Sequence, residues 1–489
     1  MSFSSIDYAI IVVYLLGVTL AGSLVAGRQK TARDYFLGGG RLAWWAVGFS
    51  IVASETSTLT FISVPGLAFR SDMHFLQLVF GYFIGRVLVA WVFIPAYYRG
   101  KIETAYDFLG KRFGLPVRRL ASGVFIVTRV LASGVRLFAT AIPVHLVTGF
   151  DYTQSIALIG ACTIAYTYAG GLKAVVAMDV VQLFVYLSGA AASMALILHA
   201  LPGGWGDVVA SATFGGANKF EILNPSWGGS VAGFFASPYT LLGSLLGGTF
   251  LTMASHGTDQ LLVQRLLACR SARESRKALL LDAAFIVLQF AFFLLLGLAL
   301  FAFYGGKTFA ALGLGSSDEV FPAFIVHTLP AGLAGLLVAG ILASAMGTLS
   351  SSISSLASSA YLDLYRLARN DPGGDTRSEV RTSRLMTLFW GLVLVGGAML
   401  FTDTTNPVVE LGLRIASVTY GGLLGTFFLG LFFRGTSSRD AIVGLFAGLA
   451  AMAVVIFYTA IDYTWHTLIG CLATLIAGNL SARWFPRGN

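Results

Sequence analysis

The chain has 489 residues, of which 56% are hydrophobic and 11% charged, and its mean hydropathy is +0.79. A water-soluble globular protein usually carries about 25% charged residues, so this composition excludes that class and predicts a protein embedded in a lipid bilayer. The net charge of +9 comes mainly from basic residues in short loops, which predicts membrane orientation and no nucleic-acid partner.

Thirteen apolar runs follow one another along the chain, most of them near the roughly 20 residues that a membrane-spanning helix needs. The first run lacks a basic start and a small-residue cleavage site, which predicts a retained span rather than a signal peptide. The long ninth run is expected to hold one bent or protruding helix. The runs cover residues 7–27, 44–66, 74–97, 120–147, 153–170, 174–200, 236–258, 279–304, 328–364, 385–402, 407–433, 441–461 and 464–482.

The distribution of Lys and Arg gives the predicted orientation. Of the 32 basic residues, 25 fall in every second loop, beginning with the first. Because positively charged loops stay on the cytoplasmic side, we expect the N-terminus outside and the C-terminus inside a plasma membrane, or a bacterial inner membrane.

The number of spans also predicts the domain organisation. After the first helix and the last two are set aside, ten helices remain in two groups of five. Because five is an odd number, the second group enters the membrane from the opposite face to the first, as an inverted-topology repeat requires. The fold class is therefore all-α. The predicted units are an extra helix and cytoplasmic loop (1–43), repeat one (44–200), an extracellular loop (201–235), repeat two (236–433) and two extra helices (434–489).

The first helix of repeat one is unusually polar. Five hydroxyl side chains and Glu55 lie between residues 53 and 60, in the middle of a span. Ser and Thr also allow close helix packing, so the hydroxyl groups alone do not show that the helix faces a cavity. An ionisable group at that depth costs roughly 2.5–3.5 kcal/mol, so Glu55 requires a cationic partner from the protein or from a solute. The segment therefore predicts an interrupted helix that faces a cavity.

A second hydroxyl-rich segment occupies residues 343–355 of repeat two. Thr348, Ser351, Ser352 and Ser355 recur at intervals of three and four, which places them on one helix face. A dehydrated hard cation prefers several oxygen ligands of this kind. No Walker A, HExxH or GxSxG motif accompanies these segments, so neither an ATP-driven pump nor one of these hydrolase classes is predicted.

Several motifs together resemble the sodium/solute symporter family, over nearly the whole chain from residue 27 to residue 433. The motifs are GRQKTARDYFLGGGR (27–41), SETSTLTFISVPG (54–66), GGLKAVVAMDVVQ (170–182), VQRLL (263–267) and AMGTLSSSISS (345–355). The resemblance implies the ten-helix inverted-repeat core of the leucine transporter, with one extra N-terminal and two extra C-terminal helices. It does not identify the solute.

The resemblance also implies sodium sites. One sodium ion is expected between the first and eighth core helices, held by Ala53, Thr56, Ser344, Gly347 and Thr348. Gly347 departs from the family, which usually has Ser there; water, carbonyl oxygens or a register shift to Ser350 and Ser351 could fill the place. A second sodium site in some members implies Asp179, Ser350 and Ser351, although Asp179 could instead be solvated at the cytoplasmic end of its span.

Substrate contacts follow from the same resemblance. The implied residues are Glu55, Ser57, Thr60, Gln77, Val79, Ala132, Arg136 and His256. Arg136 lies one turn from Ala132, the position where sialic acid transporters carry Arg, so it could bind an anionic solute. Alternatively, Arg136 could pair with Glu55 or with a carbonyl group at a helix end, or both charges could bind a zwitterion. His256 could be a core residue bonded to Asp259.

The predicted function is therefore a sodium-coupled symporter, not an enzyme, that imports a small polar organic solute by alternating access. The solute class is a carboxylate such as sialic acid, a sugar or an amino acid, and one or two sodium ions are the coupling ions. The protein is expected to be a monomer in the bilayer. A sodium-independent facilitator or channel of the same fold, and a membrane-embedded sensor or enzyme, are the alternatives.

Overall fold

The computed structural model describes residues 4–25, 27, 29–56, 58–216, 218–368, 376–400 and 408–484. These residues form α-helices and short 3₁₀ turns, with one isolated β-bridge between Leu42 and Cys269. The all-α prediction is confirmed. The α-helices are α1 (Ser5–Val25), α2 (Ala32–Leu37), α3 (Trp44–Glu55), α4 (Thr58–Arg70), α5 (Phe75–Gly100), α6 (Ala105–Phe113), α7 (Leu115–Thr148), α8 (Tyr152–Ala200), α9 (Trp205–Ala212), α10 (Val231–Ala236), α11 (Leu241–Gly257), α12 (Gln260–Leu267), α13 (Ala272–Phe303), α14 (Val320–Thr328), α15 (Leu333–Ser359), α16 (Arg366–Ala368), α17 (Thr376–Met399), α18 (Val408–Phe432), α19 (Ser438–Tyr458) and α20 (Tyr463–Trp484).

Many of these helices are long and apolar enough to cross a membrane. Within the described residues, eight single helices meet that condition, and the bent pair α3 and α4 adds a ninth span. The α15 helix continues through a π-helical turn, Ala360–Tyr365, into α16, so the long run 328–364 holds one extended helix. The total of thirteen spans stays a prediction.

The predicted run 44–66 is interrupted near its centre, and the predicted run 236–258 ends at a second break in the helix. The α3 helix ends at Glu55, and the axis turns by 58° before the chain continues as α4. The α11 helix ends at Gly257, and Asp259 begins α12 by accepting a hydrogen bond from the Leu261 N–H at 2.9 Å. Breaks like these free backbone carbonyl and N–H groups, and a membrane protein tolerates them only where protein or a cavity surrounds them. The interruption predicted near residues 53–60 is therefore observed.

A positive-φ glycine joins two of the predicted runs into α8. Gly171 has φ 56° and ψ −154°, values that residues with a Cβ atom rarely adopt. A Cβ atom there would also lie 2.5 Å from the Tyr35 carbonyl oxygen. The chain therefore changes direction at Gly171, between the predicted runs 153–170 and 174–200.

Small residues allow the spans to approach closely. A Cβ atom on Gly81 of α5 would lie 2.7 Å from the Leu245 carbonyl oxygen, and one on Gly248 of α11 would lie 2.4 Å from the Leu78 carbonyl oxygen. Helices in a bilayer associate through van der Waals packing at such small residues. Among the candidate spans of the described residues, the one that contains α15 is the most enclosed, since 89% of the residues in its apolar 18-residue stretch are buried.

The first helix is anchored to the start of α15 by a carboxylate. Asp7 is 1% exposed, and its Oδ1 atom accepts hydrogen bonds from the N–H groups of Gly332 (2.8 Å) and Gly335 (2.7 Å). These N–H groups lie at the helix N-terminus, where they lack partners within the helix. Asp7 therefore caps α15 from a neighbouring helix.

Replacing Asp7 by alanine is expected to lower the free energy of unfolding by about 0.5–2 kcal/mol, because the loss of a capping side chain has that cost. Thermal unfolding of the purified protein in detergent measures the change. Glu221→Ala, which removes an exposed carboxylate from the 201–235 loop, is the matched control. Equal melting temperatures for the two variants would contradict the capping role.

Candidate functional site

The break between α3 and α4 is held against the middle of α15. The Thr56 carbonyl oxygen accepts a hydrogen bond from Ser344 Oγ at 2.5 Å, and Thr58 Oγ1 donates to the Ile341 carbonyl oxygen at 3.3 Å. Thr56 Oγ1 also accepts from Gln289 Nε2 at 2.5 Å. The two hydroxyl-rich segments of the sequence are therefore in direct contact in the structure.

The residues predicted to hold the first sodium ion lie at this contact. Thr348 Oγ1 donates to the Ser344 carbonyl oxygen at 3.1 Å, one turn away on α15. A Cβ atom built on Gly347 would lie 3.9 Å from the Ala53 carbonyl oxygen of α3. The structure thus brings Ala53 and Thr56 together with Ser344, Gly347 and Thr348 between two buried helices.

Two further oxygen atoms lie close to the position that a side chain on residue 347 would occupy. Its Cβ position lies 2.9 Å from Gln182 Oε1 and 3.4 Å from Asp179 Oδ1, both on α8. Both oxygens are buried, and neither has a hydrogen-bond partner among the residues that the structure describes. Buried polar atoms are normally paired, so unpaired oxygens here favour an ion or water. Sequence reasoning missed Gln182, although it lies one turn from Asp179 on the same helix face.

Asp179 is fully buried, so the alternative that it is solvated at the end of its span is wrong. Its Oδ2 atom accepts hydrogen bonds from Ser50 Oγ (2.5 Å) and from an Arg265 guanidinium nitrogen (3.0 Å). Ser351 Oγ also contacts the Arg265 guanidinium. Two of the residues predicted for a second sodium site are therefore already paired with a cation of the protein.

A small cavity opens beside the residues predicted to hold the first sodium ion, bounded by α4, α7 and α15. Its lining is rich in hydroxyl groups and contains one cationic side chain, that of Arg136. Arg136 Nε is buried and has no hydrogen-bond partner in the described part of the chain. The lining residues are Thr58, Ser133, Arg136, Leu137, Thr140, Ala345, Thr348, Leu349 and Ser352.

Glu55 belongs to a separate cluster of charges, formed by α3, α5, α11 and α13. Arg86 donates to a Glu55 carboxylate oxygen and, through Nε, to Asp282 Oδ2 at 2.6 Å. His256 Nε2 lies 3.1 Å from Glu55 Oε1 and 3.6 Å from Asp282 Oδ2. The cationic partner of Glu55 is thus Arg86, and the predicted alternative that Arg136 pairs with Glu55 is wrong.

The predicted hydrogen bond between His256 and Asp259 is not formed either. Asp259 lies beyond the end of α11, where it contacts the Arg129 guanidinium and accepts from Tyr420 Oη at 2.8 Å. Because the helix is interrupted at residues 258–259, the two side chains point to different neighbours. His256 instead contacts Ser255 Oγ through Nδ1 at 2.9 Å and Glu55 through Nε2.

Removing Arg86 is expected to have a large structural effect. Arg86→Ala removes the guanidinium group from between Glu55 and Asp282 and leaves His256 as their remaining neighbour in the cluster, and breaking a buried ion pair in this way costs about 3–5 kcal/mol. We expect a strong loss of folded protein in the membrane, measured by fluorescence-detected size-exclusion chromatography. Arg99→Ala, which removes an exposed guanidinium at the end of the same helix, is the control. A normal elution profile for Arg86→Ala would contradict the structural role.

The other predicted substrate residues lie outside the cavity. Thr60, Val79 and Ala132 are buried in helix contacts, and Ser57 lies outside the described residues. Gln77 contacts the segment that precedes α11, since its Nε2 donates to the Tyr239 carbonyl oxygen (3.1 Å) and its Oε1 accepts from the backbone N–H of residue 224 (3.0 Å). The cavity residues missed from the sequence, Ser133 and Thr140, could have been found by their spacing of three and four from Arg136.

The segment that precedes α11 also contacts the C-terminal end of α4. Lys219 Nζ donates to the carbonyl oxygens of Phe69 (3.0 Å) and Ser71 (2.6 Å). A cation is favourable at these last carbonyls because the C-terminal end of a helix carries partial negative charge. Partial burial lowers the pKa of the Lys219 ammonium group. The segment that precedes α11 is thereby attached to α4, the second half of the broken helix.

Comparisons with known proteins identify the family of the chain. The model of the sodium:solute symporter family matches residues 35–448. A sodium/sialic acid symporter of Proteus mirabilis is 29% identical, over 99% of this chain and 96% of its own. The human sodium/iodide cotransporter is 31% identical, over 92% of this chain and 69% of its own.

Solved structures show the same fold. A substrate-bound, outward-open Na⁺-coupled sialic acid symporter superposes with a TM-score of 0.87 at 27% identity, over 100% of both chains. The nucleobase-cation-symport-1 family transporter Mhp1 superposes with a TM-score of 0.59 at 15% identity, over 94% of this chain and 97% of its own. At that identity the second likeness concerns the fold alone.

Proposed function

The chain belongs to the sodium:solute symporter family, and from this premise we propose that it couples one carboxylate-like anion to sodium through the contact between α3 and α15. Its general activity is sodium-driven symport of a small organic solute by alternating access, and it is a multi-pass membrane transporter rather than an enzyme. The identity of the solute and the position of the ion are the new parts of the proposal.

The proposed sodium ion lies between α3, α8 and α15. Gly347 supplies no side-chain oxygen, and its carbonyl oxygen already accepts from Ser350 Oγ (3.0 Å) and Ser351 Oγ (2.6 Å). The unpaired oxygens of Asp179 and Gln182 replace the missing hydroxyl, which a hard cation accepts because it prefers oxygen ligands. The proposed ligands are oxygen atoms of Ala53, Thr56, Ser344, Thr348, Asp179 and Gln182.

The proposed coupling depends on Thr348, because this residue belongs both to the proposed sodium site and to the cavity that contains Arg136. It follows Ser344 and Gly347 on α15, and its side chain also lines the cavity that contains Arg136. A sodium ion on one side of Thr348 fixes the hydroxyl that faces the solute on the other side. Sodium therefore favours the conformation that binds the solute.

The proposed solute is an anion because the residues that line the cavity include the cationic Arg136 but no Asp or Glu. The observation that carries this proposal is the buried, unpaired Nε of Arg136 among hydroxyl groups. A guanidinium group binds carboxylates through paired N–H donors. A zwitterion would also need an anionic group for its ammonium, but the nearest predicted candidate, Glu55, is paired with Arg86 and His256. A small carboxylate therefore fits better than an amino acid or a neutral sugar.

We also propose the topology and location that the loop charges predict. The N-terminus lies outside and the C-terminus lies in the cytoplasm, so that solute and sodium move inward across a plasma or bacterial inner membrane. The units 1–43, 44–200, 201–235, 236–433 and 434–489 remain the proposed organisation, with 44–200 and 236–433 as the inverted repeats. A single chain in the bilayer is the proposed functional unit.

A thermal-shift screen of the purified protein tests the proposed solute class. Acetate, lactate, sialic acid, proline and galactose are each added in sodium buffer and in choline buffer. We expect stabilisation by one of the carboxylates, in sodium only, because the ligand stabilises the folded state that binds it. Stabilisation by galactose or proline alone would contradict the anion proposal, and equal stabilisation in choline would contradict the coupling.

A further inference from the structure

The charge cluster around Glu55 contains a histidine beside two carboxylates, and the proposed sodium and solute sites do not use it. His256 Nε2 lies 3.1 Å from Glu55 Oε1 and 3.6 Å from Asp282 Oδ2. One ligand atom from each of these three side chains lies within 4.8 Å of the other two. The cluster therefore brings together an imidazole nitrogen and two carboxylate oxygens from α11, α3 and α13.

Two atoms of this cluster are buried without a hydrogen-bond partner among the described residues. Asp282 Oδ1 is one of them, and His256 Nε2 is the other, since it meets the geometry of a hydrogen bond with neither carboxylate. Both side chains are 0% exposed. Buried polar atoms are normally paired, so two unpaired atoms in one cluster favour a ligand between them. The Nδ1 atom of His256 contacts Ser255 Oγ at 2.9 Å, which fixes the ring with Nε2 towards the carboxylates.

The spacing and the donor types fit a small transition-metal ion. Zinc binds histidine nitrogen and carboxylate oxygen at about 2.0–2.2 Å, so two ligand atoms of one ion lie at most about 4.4 Å apart. The distances from His256 Nε2 to Glu55 and Asp282 are inside that limit. An imidazole nitrogen suits zinc, copper or nickel, whereas magnesium and calcium prefer oxygen alone. The mixed donor set therefore favours a divalent transition metal.

Arg86 leaves room for such an ion in the cluster. It donates to one oxygen of Glu55 and, through Nε, to Asp282 Oδ2 at 2.6 Å, so one oxygen of each carboxylate stays available. Hydrogen bonds of this kind orient the ligands of a metal site. The two carboxylates and the guanidinium have a net charge of −1, which a dication changes to +1. The buried net charge thus changes sign without growing in magnitude.

The position of the cluster connects it to both helix breaks. Glu55 is the last residue of α3, directly before Thr56, and His256 precedes the end of α11 at Gly257. The Glu55 side chain is 22% exposed, so an ion can reach the buried His256 from that side. An ion bound there fixes both helix ends, and with them the Thr56 carbonyl oxygen that accepts from Ser344.

We propose that Glu55, His256 and Asp282 form a binding site for a divalent transition-metal ion of the Zn²⁺ class, and that the bound ion inhibits transport. The ion binds through His256 Nε2 and one oxygen of each carboxylate, while Arg86 stays on the other oxygens. Binding is independent of the proposed function. Inhibition rests on it, because the fixed Thr56 carbonyl belongs to the proposed sodium site.

Isothermal titration of Zn²⁺ into the purified, full-length protein without an affinity tag tests the site, with no solute present. We expect one ion per chain. His256→Gln removes the nitrogen ligand, and the dissociation constant should rise by about tenfold or more. His74→Gln is the matched control, because His74 Nδ1 also lies beside a carboxylate, 3.0 Å from Asp72 Oδ1. The control should bind zinc as the wild type does.

Sodium-driven uptake into proteoliposomes tests the inhibition. Zn²⁺ should lower uptake by the wild type and by His74→Gln, and EDTA should restore it. Uptake by His256→Gln, compared with its own rate without zinc, should lose this response. Zinc that binds through His256 without lowering wild-type uptake would overturn the inhibitory role.

The titration has outcomes that count against the site itself. Equal zinc affinity in His256→Gln and the wild type, or loss of the ion in His74→Gln, would overturn it. Should His256→Gln fail to fold, Glu55→Gln takes its place with the same expected loss of affinity. If neither folds, His74→Gln decides, since one retained ion supports the site and no ion overturns it. A wild type without sodium-driven uptake would refute the proposed function, and the titration would still decide the site.

Discussion

Replacement of Thr348 by alanine is expected to abolish sodium-dependent uptake while the amount of protein in the membrane is unchanged. The substitution removes the hydroxyl that the proposed sodium site shares with the solute cavity, so both the ion and the solute lose a contact. The apparent affinity for sodium should fall at least tenfold, which corresponds to about 1.4 kcal/mol. Uptake at several sodium concentrations, with surface expression measured in parallel, gives the result.

Two variants control for the Thr348 prediction. Thr348→Ser keeps the hydroxyl and should retain sodium-dependent uptake. Ser355→Ala removes another buried hydroxyl from the same helix, one that donates only to the Ser352 carbonyl oxygen at 3.1 Å in the described part of the chain, and it should transport normally. Uptake by Thr348→Ala that equals the wild type at low sodium would remove Thr348 from the site.

Replacement of Arg136 by glutamine is expected to raise the solute concentration for half-maximal uptake roughly ten- to a hundredfold. Hydrogen bonds to charged groups contribute about 1.5–3 kcal/mol, and each 1.4 kcal/mol is a factor of ten. Sodium binding measured with ²²Na⁺ should be unchanged, because Arg136 lies on the cavity side of Thr348. The prediction therefore separates solute binding from ion binding.

The Arg136 prediction has its own controls. Arg136→Lys keeps the charge but not the planar fork of donors, so an intermediate loss is expected. Arg99→Gln changes an exposed arginine that bonds only its own helix in the described structure and should leave uptake unchanged. Wild-type solute affinity in Arg136→Gln would contradict an anion site in this cavity.

The break between α3 and α4 could be predicted because its cause is local. Hydroxyl groups and Glu55 in the middle of an apolar run are incompatible with a lipid-facing helix, and the structure has its interruption there. The contact between this break and residues 344–348 was also predicted, although through the resemblance rather than through the residues alone. Composition was sufficient for the all-α class of the fold.

The pairing of buried charges could not be predicted in the same way. Glu55, Arg86 and Asp282 lie on three different helices, and only the rotation of each helix about its axis decides which charges meet. A sequence fixes no such rotation when most positions around a helix are apolar. The same reason explains why Arg265 appeared only as part of a motif, although it lies beside Asp179 in the structure.

Gln182 could have been predicted from the sequence as a residue near the proposed sodium site. It follows Asp179 by three residues, so the two side chains share a helix face. Gly347 lacks the oxygen that the family usually provides, and a nearby polar side chain on that face is the natural replacement. The distance of 2.9 Å from the Gly347 Cβ position to Gln182 Oε1 could be known only from the packing of α8 against α15.

Uptake into proteoliposomes tests the central claim most directly, namely that sodium bound between α3 and α15 drives entry of the solute. The purified protein is reconstituted, and the carboxylate found by the thermal-shift screen is supplied outside in radiolabelled form. An inward sodium gradient should accumulate the solute inside above its external concentration, and an equal potassium gradient should not. Equilibration to the external concentration at the same rate with either cation would contradict the account.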